Sequence, residues 1–191
     1  MANRNGFIPS RDVASMSVRN FPASAGGGQT IAKGDAVCMV NGVIVRATAG
    51  QDPNQIGYGV VLACYTTANR PFTFNTVKFI NSASPGRVDV CFDPNQTYYV
   101  QCVTSVGPSN LSKNVVIDQS AANPSLGLSG QAVDIPASAS TNDLFKIIDI
   151  GPFDELSGKI GINGGAGGGA PNNGVEVRWN NHFLKAPTVG Q

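Results

Sequence analysis

Ala36-Val37-Cys38-Met39-Val40-Asn41-Gly42-Val43-Ile44-Val45-Arg46-Ala47 decides the fold class. Two apolar runs rich in β-branched residues flank an Asn-Gly pair. A type I′ turn needs positive φ at both central residues. Asn tolerates that conformation and Gly adopts it freely, so Asn-Gly between strand-like runs is the strongest short-range hairpin signal. The spacing predicts strands on both sides of residues 41–42.

The same pattern extends toward the C-terminus. Ile56 to Tyr65 is nearly continuous apolar sequence, as expected of a buried strand. Phe72, Phe74, Thr76, Lys78 and Ile80 take one face of a further strand, with Val77 and Phe79 on the other. Val88 to Phe92 alternates with period two, and Asp93-Pro94-Asn95-Gln96 supplies turn chemistry. Tyr98 to Thr104, Val115 to Ile117 and Ala132 to Ile135 are short β-rich runs. Leu144 to Ile150 is read as a strand because it is β-branched and bounded by Gly151-Pro152. Gly161 to Gly174 reads as a flexible loop. Val175 to His182 is the last long strand and holds the single tryptophan and the single histidine. About ten short strands and no helix predict an all-β sandwich or barrel.

Residues 1–30 read differently. They are polar, broken by Pro9 and Pro22, and end in Gly26-Gly27-Gly28, with Phe7, Ile8, Met16, Val18 and Phe21 as isolated apolar anchors. The expectation is an extended N-terminal arm (1–30) ahead of a β-rich domain (31–191), the arm docking on a neighbour or remaining disordered. The first thirty residues lack the apolar core of a signal peptide, and no run reaches the length of a membrane span.

Composition narrows the function classes. At 191 residues the chain is one domain, or one domain with an arm. Charged residues make up 13%, against roughly 25% in a typical soluble protein, which suits a chain built into an assembly, a surface covered with Ser, Thr, Asn and Gly, or both. A net charge of +1 gives no general attraction to nucleic acid or to an anionic membrane. Glycine (23) and proline (12) are distributed as turn signals. The four cysteines, Cys38, Cys64, Cys91 and Cys102, lack CxxC spacing, and one histidine cannot complete a typical Cys/His zinc site. They are expected to be free and mostly buried, and neither a metal nor a cofactor is expected.

Several candidate chemistries weaken on inspection. Gly165 to Ala170 fits a loose dinucleotide-binding pattern, but Pro171-Asn172-Asn173-Gly174 follows where a phosphate-holding helix would have to start. His182 with a cysteine would make a thiol dyad, yet nothing near any cysteine marks a nucleophile. Structural hydrogen bonds from Asn180, Asn181 and His182 at a strand end are the plainer expectation. Asp149, Asp154 and Glu155 flank the Gly-Pro turn without calcium-loop spacing. Tyr98, Tyr99, Phe72, Phe74 and Trp179 would form a sugar or base platform, or else core. No catalytic residue is assigned, and enzyme activity is not expected.

In order along the chain stand Asn5-Gly-Phe-Ile-Pro-Ser-Arg11, Gly34-Asp-Ala-Val37, Asn41 to Gly50, Ile56-Gly-Tyr-Gly-Val-Val-Leu62, Val90 to Pro94 with Tyr99-Val-Gln101, Leu144 to Gly151, and Val175 to His182. Taken together this set resembles a family of small structural proteins of tailed bacteriophages, similar to head decoration (cement) proteins. The resemblance covers nearly the whole chain. The long Gly-rich loop and Trp179 in the closing strand depart from the pattern, and Trp179 could mark a subunit contact. The resemblance implies a virion protein with no enzyme activity, made in the host cytoplasm and sited on the capsid surface. Its implied partners are the major capsid protein and further copies of itself, a trimer being one form. The candidate contact residues are Phe7, Ile8, Arg11, Phe21, Trp179 and His182. The alternative is a tail or head-tail component, with a carbohydrate-binding surface as one version.

Overall fold

The computed structural model describes residues 6–10, 17–24, 29–48, 56–67, 74–81, 85–119, 126–150 and 174–185. The described residues form fourteen strands, more than the ten or so expected. They are β1 (Ile8–Pro9), β2 (Val18–Ala23), β3 (Ile31–Ala32), β4 (Ala36–Val40), β5 (Val43–Arg46), β6 (Gly57–Thr67) and β7 (Phe74–Val77). Then come β8 (Phe79–Ile80), β9 (Gly86–Cys91), β10 (Thr97–Gln101), β11 (Asn114–Asp118), β12 (Ala132–Asp134), β13 (Phe145–Asp149) and β14 (Gly174–Trp179). The helical content of the described residues is one 3-10 turn at Pro108–Asn110.

The hairpin is where the sequence places it. β4 and β5 pair from Val37 with Arg46 to Val40 with Val43. Asn41 and Gly42 have φ of 50° and 78°, the double positive that a type I′ turn demands.

One sheet closes on itself. Strands β4, β5, β2, β9 and β6 are each bonded to the next, and β6 pairs back onto β4, giving a five-stranded barrel with β7 added to β6. The seam between β2 and β5 is a short parallel contact of Ala23 with Ile44. A second sheet runs β1-β10-β14-β13-β11-β12 and packs on the barrel wall. The sequence reading left sandwich and barrel open; the structure combines a barrel with a packed sheet.

Two cores follow from strand alternation. Val37 and Val61 point into the barrel with Ile31, Ile44, Ile80, Val88 and Val90. Their neighbours Ala36, Cys38 and Val60 point the other way, against Phe7, Tyr98, Phe145, Ile147, Val177 and Trp179 of the second sheet. β4 and this part of β6 are therefore covered on both faces, which is why they read as continuous apolar runs rather than as an alternation. Where the barrel meets the sheet, buried Asp35 accepts hydrogen bonds from Arg46 Nε (3.0 Å), Ser129 Oγ and Ala32 N (2.7 Å). Gln131 accepts from Ala36 N (2.7 Å) and donates to Ala47 O (3.1 Å), tying the sheet to the barrel wall.

The described parts of residues 1–30 are strands of this domain. Ile8 and Pro9 pair with Tyr99 and Tyr98, and β2 pairs with β9 from Val18–Cys91 to Ala23–Gly86. Phe7 is 1% exposed and stacks on Phe145. Over these residues the expected arm is instead integral to the fold, because an apolar anchor in a polar stretch is buried once its strand is paired.

Candidate functional site

The closing segment builds the site. In β14, Val175, Val177 and Trp179 point into the core while Glu176 and Arg178 face outward. The strand ends at Trp179, earlier than the expected 175–182. Asn180 donates from its backbone to Leu144 O (2.8 Å) and from its side chain to Asp143 O (3.0 Å). The chain then turns onto the start of β6: Gly57 N donates to Asn181 O (3.1 Å) and Phe183 N donates to Gly57 O (3.0 Å).

His182 is fixed inside this turn, 2% exposed. Its Nδ1 accepts from Leu184 N (3.2 Å), so the ring proton sits on Nε2, which faces Tyr58 O at 3.0 Å. Burial pulls its pKa down to about 4, while Tyr58 O and Asp93 act in the opposite sense and Lys185 adds to the fall. The neutral ring is thus a structural fastener between the turn and β6, in line with the strand-end hydrogen bonds expected for it.

What the fastener holds is a surface patch of rings. Phe183, 42% exposed, stacks on Tyr58 with centroids 4.3 Å apart. Phe21 meets Tyr58 edge-on at 5.2 Å, Phe92 lies 6.4 Å from both Phe21 and Phe183, and the Arg19 guanidinium lies 5.5 Å over Phe92. Ile56 and Leu184, each more than half exposed, adjoin Gly57 and Phe183 in the chain. Of the four rings Phe183 alone is exposed, and Phe21, Tyr58 and Phe92 are half-buried beneath it. A part-exposed ring cluster on a hydrogen-bonded frame is what a docking surface offers: apolar area already ordered, so that little conformational freedom is lost on binding.

Of the expected contact residues, only Phe21 belongs to this patch. Phe7 and Trp179 are core, at 1% and 0% exposure, and His182 lies beneath the patch. Ile8 is half-buried at the sheet edge. Arg11 falls outside the described residues. Tyr58, Phe92, Phe183 and Leu184 were not singled out from sequence. They meet because Val18 pairs with Cys91 and Gly57 bridges to His182, two pairings that no local motif announces.

The other candidates resolve as follows. All four cysteines are buried, and none is in a disulfide. Burial pushes the Cys64 and Cys102 thiols up to about 12, so they stay protonated and weakly nucleophilic at neutral pH. The hydrogen bonds of His182 go to backbone groups, not to a thiol. Tyr98 and Trp179 are buried rings, while the next residue, Tyr99, points to the opposite face of its strand, so the three share no platform. Phe72, Asp154, Glu155 and the Gly165–Ala170 run lie outside the described residues. Among the described residues there is no group of three or more His, Cys, Asp or Glu side chains fit to hold a metal, and no helix long and apolar enough to cross a membrane.

A polar cleft of about 450 Å3 opens on the barrel, lined by Asn20, Tyr65, Arg87 and Asp89. Tyr65 donates to Asp89 Oδ2 (2.6 Å), Asn20 Nδ2 donates to Asp89 Oδ1 (2.8 Å), and Arg87 Nε donates to Asn20 Oδ1. The bond to Asp89, more than burial, pushes the Tyr65 phenol up to about 12.

Compared with known proteins, the sequence matches no family model and no curated protein.

Proposed function

We propose that this chain is a structural virion protein of a tailed phage, which binds the outside of the capsid and stabilises it by bridging neighbouring capsid subunits. The observation that carries the reading is the ring patch around Phe183, a pre-ordered apolar surface on a chain in which only 13% of residues are charged. The resemblance of the ordered sequence motifs to head decoration proteins supports the same reading. The physical action is adhesion. Covering apolar surface yields roughly 25 cal/mol per Å2, against which stand the costs of ordering and association. The same contact repeated over a symmetric shell, or made by several sites of an oligomer, turns a modest gain per site into a large resistance to outward pressure. In this reading the partners are the major capsid protein and other copies of the chain, and the location is the capsid surface.

Quantitative mass spectrometry of virions, scaled to the major capsid protein, tests it. A copy number near a simple fraction of the capsid subunits is expected. A handful of copies per particle would move the chain to the tail or the head-tail junction.

One observation favours that second reading, a tail component with a carbohydrate-binding surface. The Asn20–Tyr65–Arg87–Asp89 cleft sets an aromatic ring beside planar polar groups, the side-chain types that recognise sugar hydroxyls. A glycan array gives signal lost in Arg87→Ala if the cleft binds sugar, and none if it is only a cross-strand polar ladder.

A further inference from the structure

On the outer face of the second sheet, Lys146 of β13 and Arg178 of β14 are directly opposite across antiparallel strands. Directly opposite residues project from the same face with Cβ atoms about 4.5–5.5 Å apart, and a like-charge pair there is destabilising. Their chain neighbours Phe145, Ile147, Val177 and Trp179 are buried, so both cations are turned away from the core. A third cation joins them. Lys185 Nζ is held 2.9 Å from Trp179 O, and burial, followed by repulsion from Arg178 and Lys146, pulls its pKa down. None of the three has a carboxylate within ion-pair distance among the described residues. Glu176, the nearest acid along β14, accepts a hydrogen bond from Ser10 Oγ at 2.7 Å.

We propose that Lys146, Arg178 and Lys185 form a docking strip for a carboxylate-bearing protein surface. Repulsion built into the free fold is relieved when a partner's acids sit between the cations. Lys185 follows Phe183 and Leu184 in the same turn, so the strip and the ring patch are linked along the chain. The fitting partner therefore presents an apolar side chain flanked by Asp or Glu. Three cations in one place, a net charge of +1 and Glu176 on the same face disfavour a phosphodiester chain, which rewards an extended basic track. The inference deepens the capsid-docking reading and rests on it for the identity of the partner.

The test uses the full-length protein with two probes, a decaglutamate peptide and a ten-nucleotide oligothymidylate, read by backbone amide shifts at low and at physiological salt. Decaglutamate is expected to shift amides around residues 146, 178 and 185. Lys146→Gln and Arg178→Gln should each weaken it roughly three- to fivefold, the scale of one exposed ion pair. Lys146→Glu sets an acid opposite Arg178; it should raise the melting temperature while weakening decaglutamate more than either neutral variant. Decaglutamate that binds Lys146→Glu as well as wild type would overturn the strip, and so would a fall in melting temperature in both neutral variants. Tighter binding of the oligonucleotide than of the peptide would reassign it to phosphate. Co-sedimentation with phage particles separates the two readings. Wild type that binds decaglutamate but not particles removes the capsid reading alone, whereas particles binding Lys146→Glu and wild type equally remove the strip alone.

Discussion

Two clusters of four aromatic rings lie on either side of His182. The inner one joins Phe7, Tyr98, Phe145 and Trp179, with Phe145 stacked on Phe7 at 4.4 Å and on Trp179 at 4.2 Å. The outer one joins Phe21, Tyr58, Phe92 and Phe183, its stacked pair at 4.3 Å. His182 touches both, 5.2 Å from Trp179 and 4.7 Å from Phe183. The ring chemistry is the same, and exposure separates them. The inner rings are sealed between sheet and barrel, so their contacts are available only to folding. The outer rings stack equally well but leave Phe183 42% exposed, so part of their area is still available to a partner. Buried and part-exposed contacts thus fall to different rings and can be perturbed separately.

Removing an inner ring gives the largest effect. Trp179→Ala deletes the largest buried side chain and leaves a cavity that the Phe145 and Tyr98 rings cannot both fill. A loss of about 3–5 kcal/mol in urea unfolding is expected. A loss below about 1 kcal/mol would mean that the inner cluster does not carry the fold and that the contrast between the clusters is wrong.

Gly57→Ala comes next and acts on the joint. A Cβ there would collide with the Trp179 ring and lie 2.7 Å from Asn181 O, so the closing turn would have to lift off β6. Overpacking of this kind costs about 1–3 kcal/mol. Because the turn carries Phe183, particle binding should fall as well, making this a single substitution that couples the two clusters. Loss of stability with full binding would show that the patch does not depend on the turn.

The third test is bounded by pH. Burial pulls the folded-state pKa of His182 down to about 4, below the usual 6.5 of a histidine, so the folded state holds the neutral ring. Its contribution is complete above about pH 6.5 and is lost progressively as pH falls toward 4, where the unfolded chain takes up the proton first. Asp35, pushed up mainly by burial, titrates in the opposite sense, so the informative quantity is the difference between wild type and His182→Gln. That difference in urea midpoint should be larger at pH 7.5 than at pH 4.5. Parallel profiles would mean that His182 is not held neutral between the clusters.

Much of this architecture was legible in the residues, and the reasons for success and failure are physical. Asn41-Gly42 declares its hairpin because the turn conformation is a property of those two residues. Ala36 to Val40 declares a strand but not its two-sided burial, which depends on a sheet contributed by distant parts of the chain. Phe7 stands alone in a polar stretch and reads as an exposed anchor; only the pairing of β1 with β10 buries it. Phe92 and Phe183 are unremarkable in their own segments, and they become a surface when β2, β6 and the closing turn are brought into register. Local chemistry specifies turns and strands, whereas a surface patch is a product of register.

The smallest expected effect on stability is therefore the most telling for function. Phe183→Ser removes a half-exposed ring whose loss opens no closed cavity, since its outer face already meets water. The remaining stack with Tyr58 is worth about 0.5–1.5 kcal/mol beyond buried area, and the loss should stay near or below 1 kcal/mol. Under the proposed capsid contact, particle binding, measured by co-sedimentation, should nevertheless fall at least tenfold, since an aromatic at the centre of an interface carries a disproportionate share of affinity. Paired with Trp179→Ala, this variant separates the clusters in both directions. If Phe183→Ser unfolds the protein as readily as the tryptophan variant, the outer rings are a second core and the capsid contact lies elsewhere. If it folds normally and binds particles at full strength, the patch is inert and docking falls to the basic strip alone.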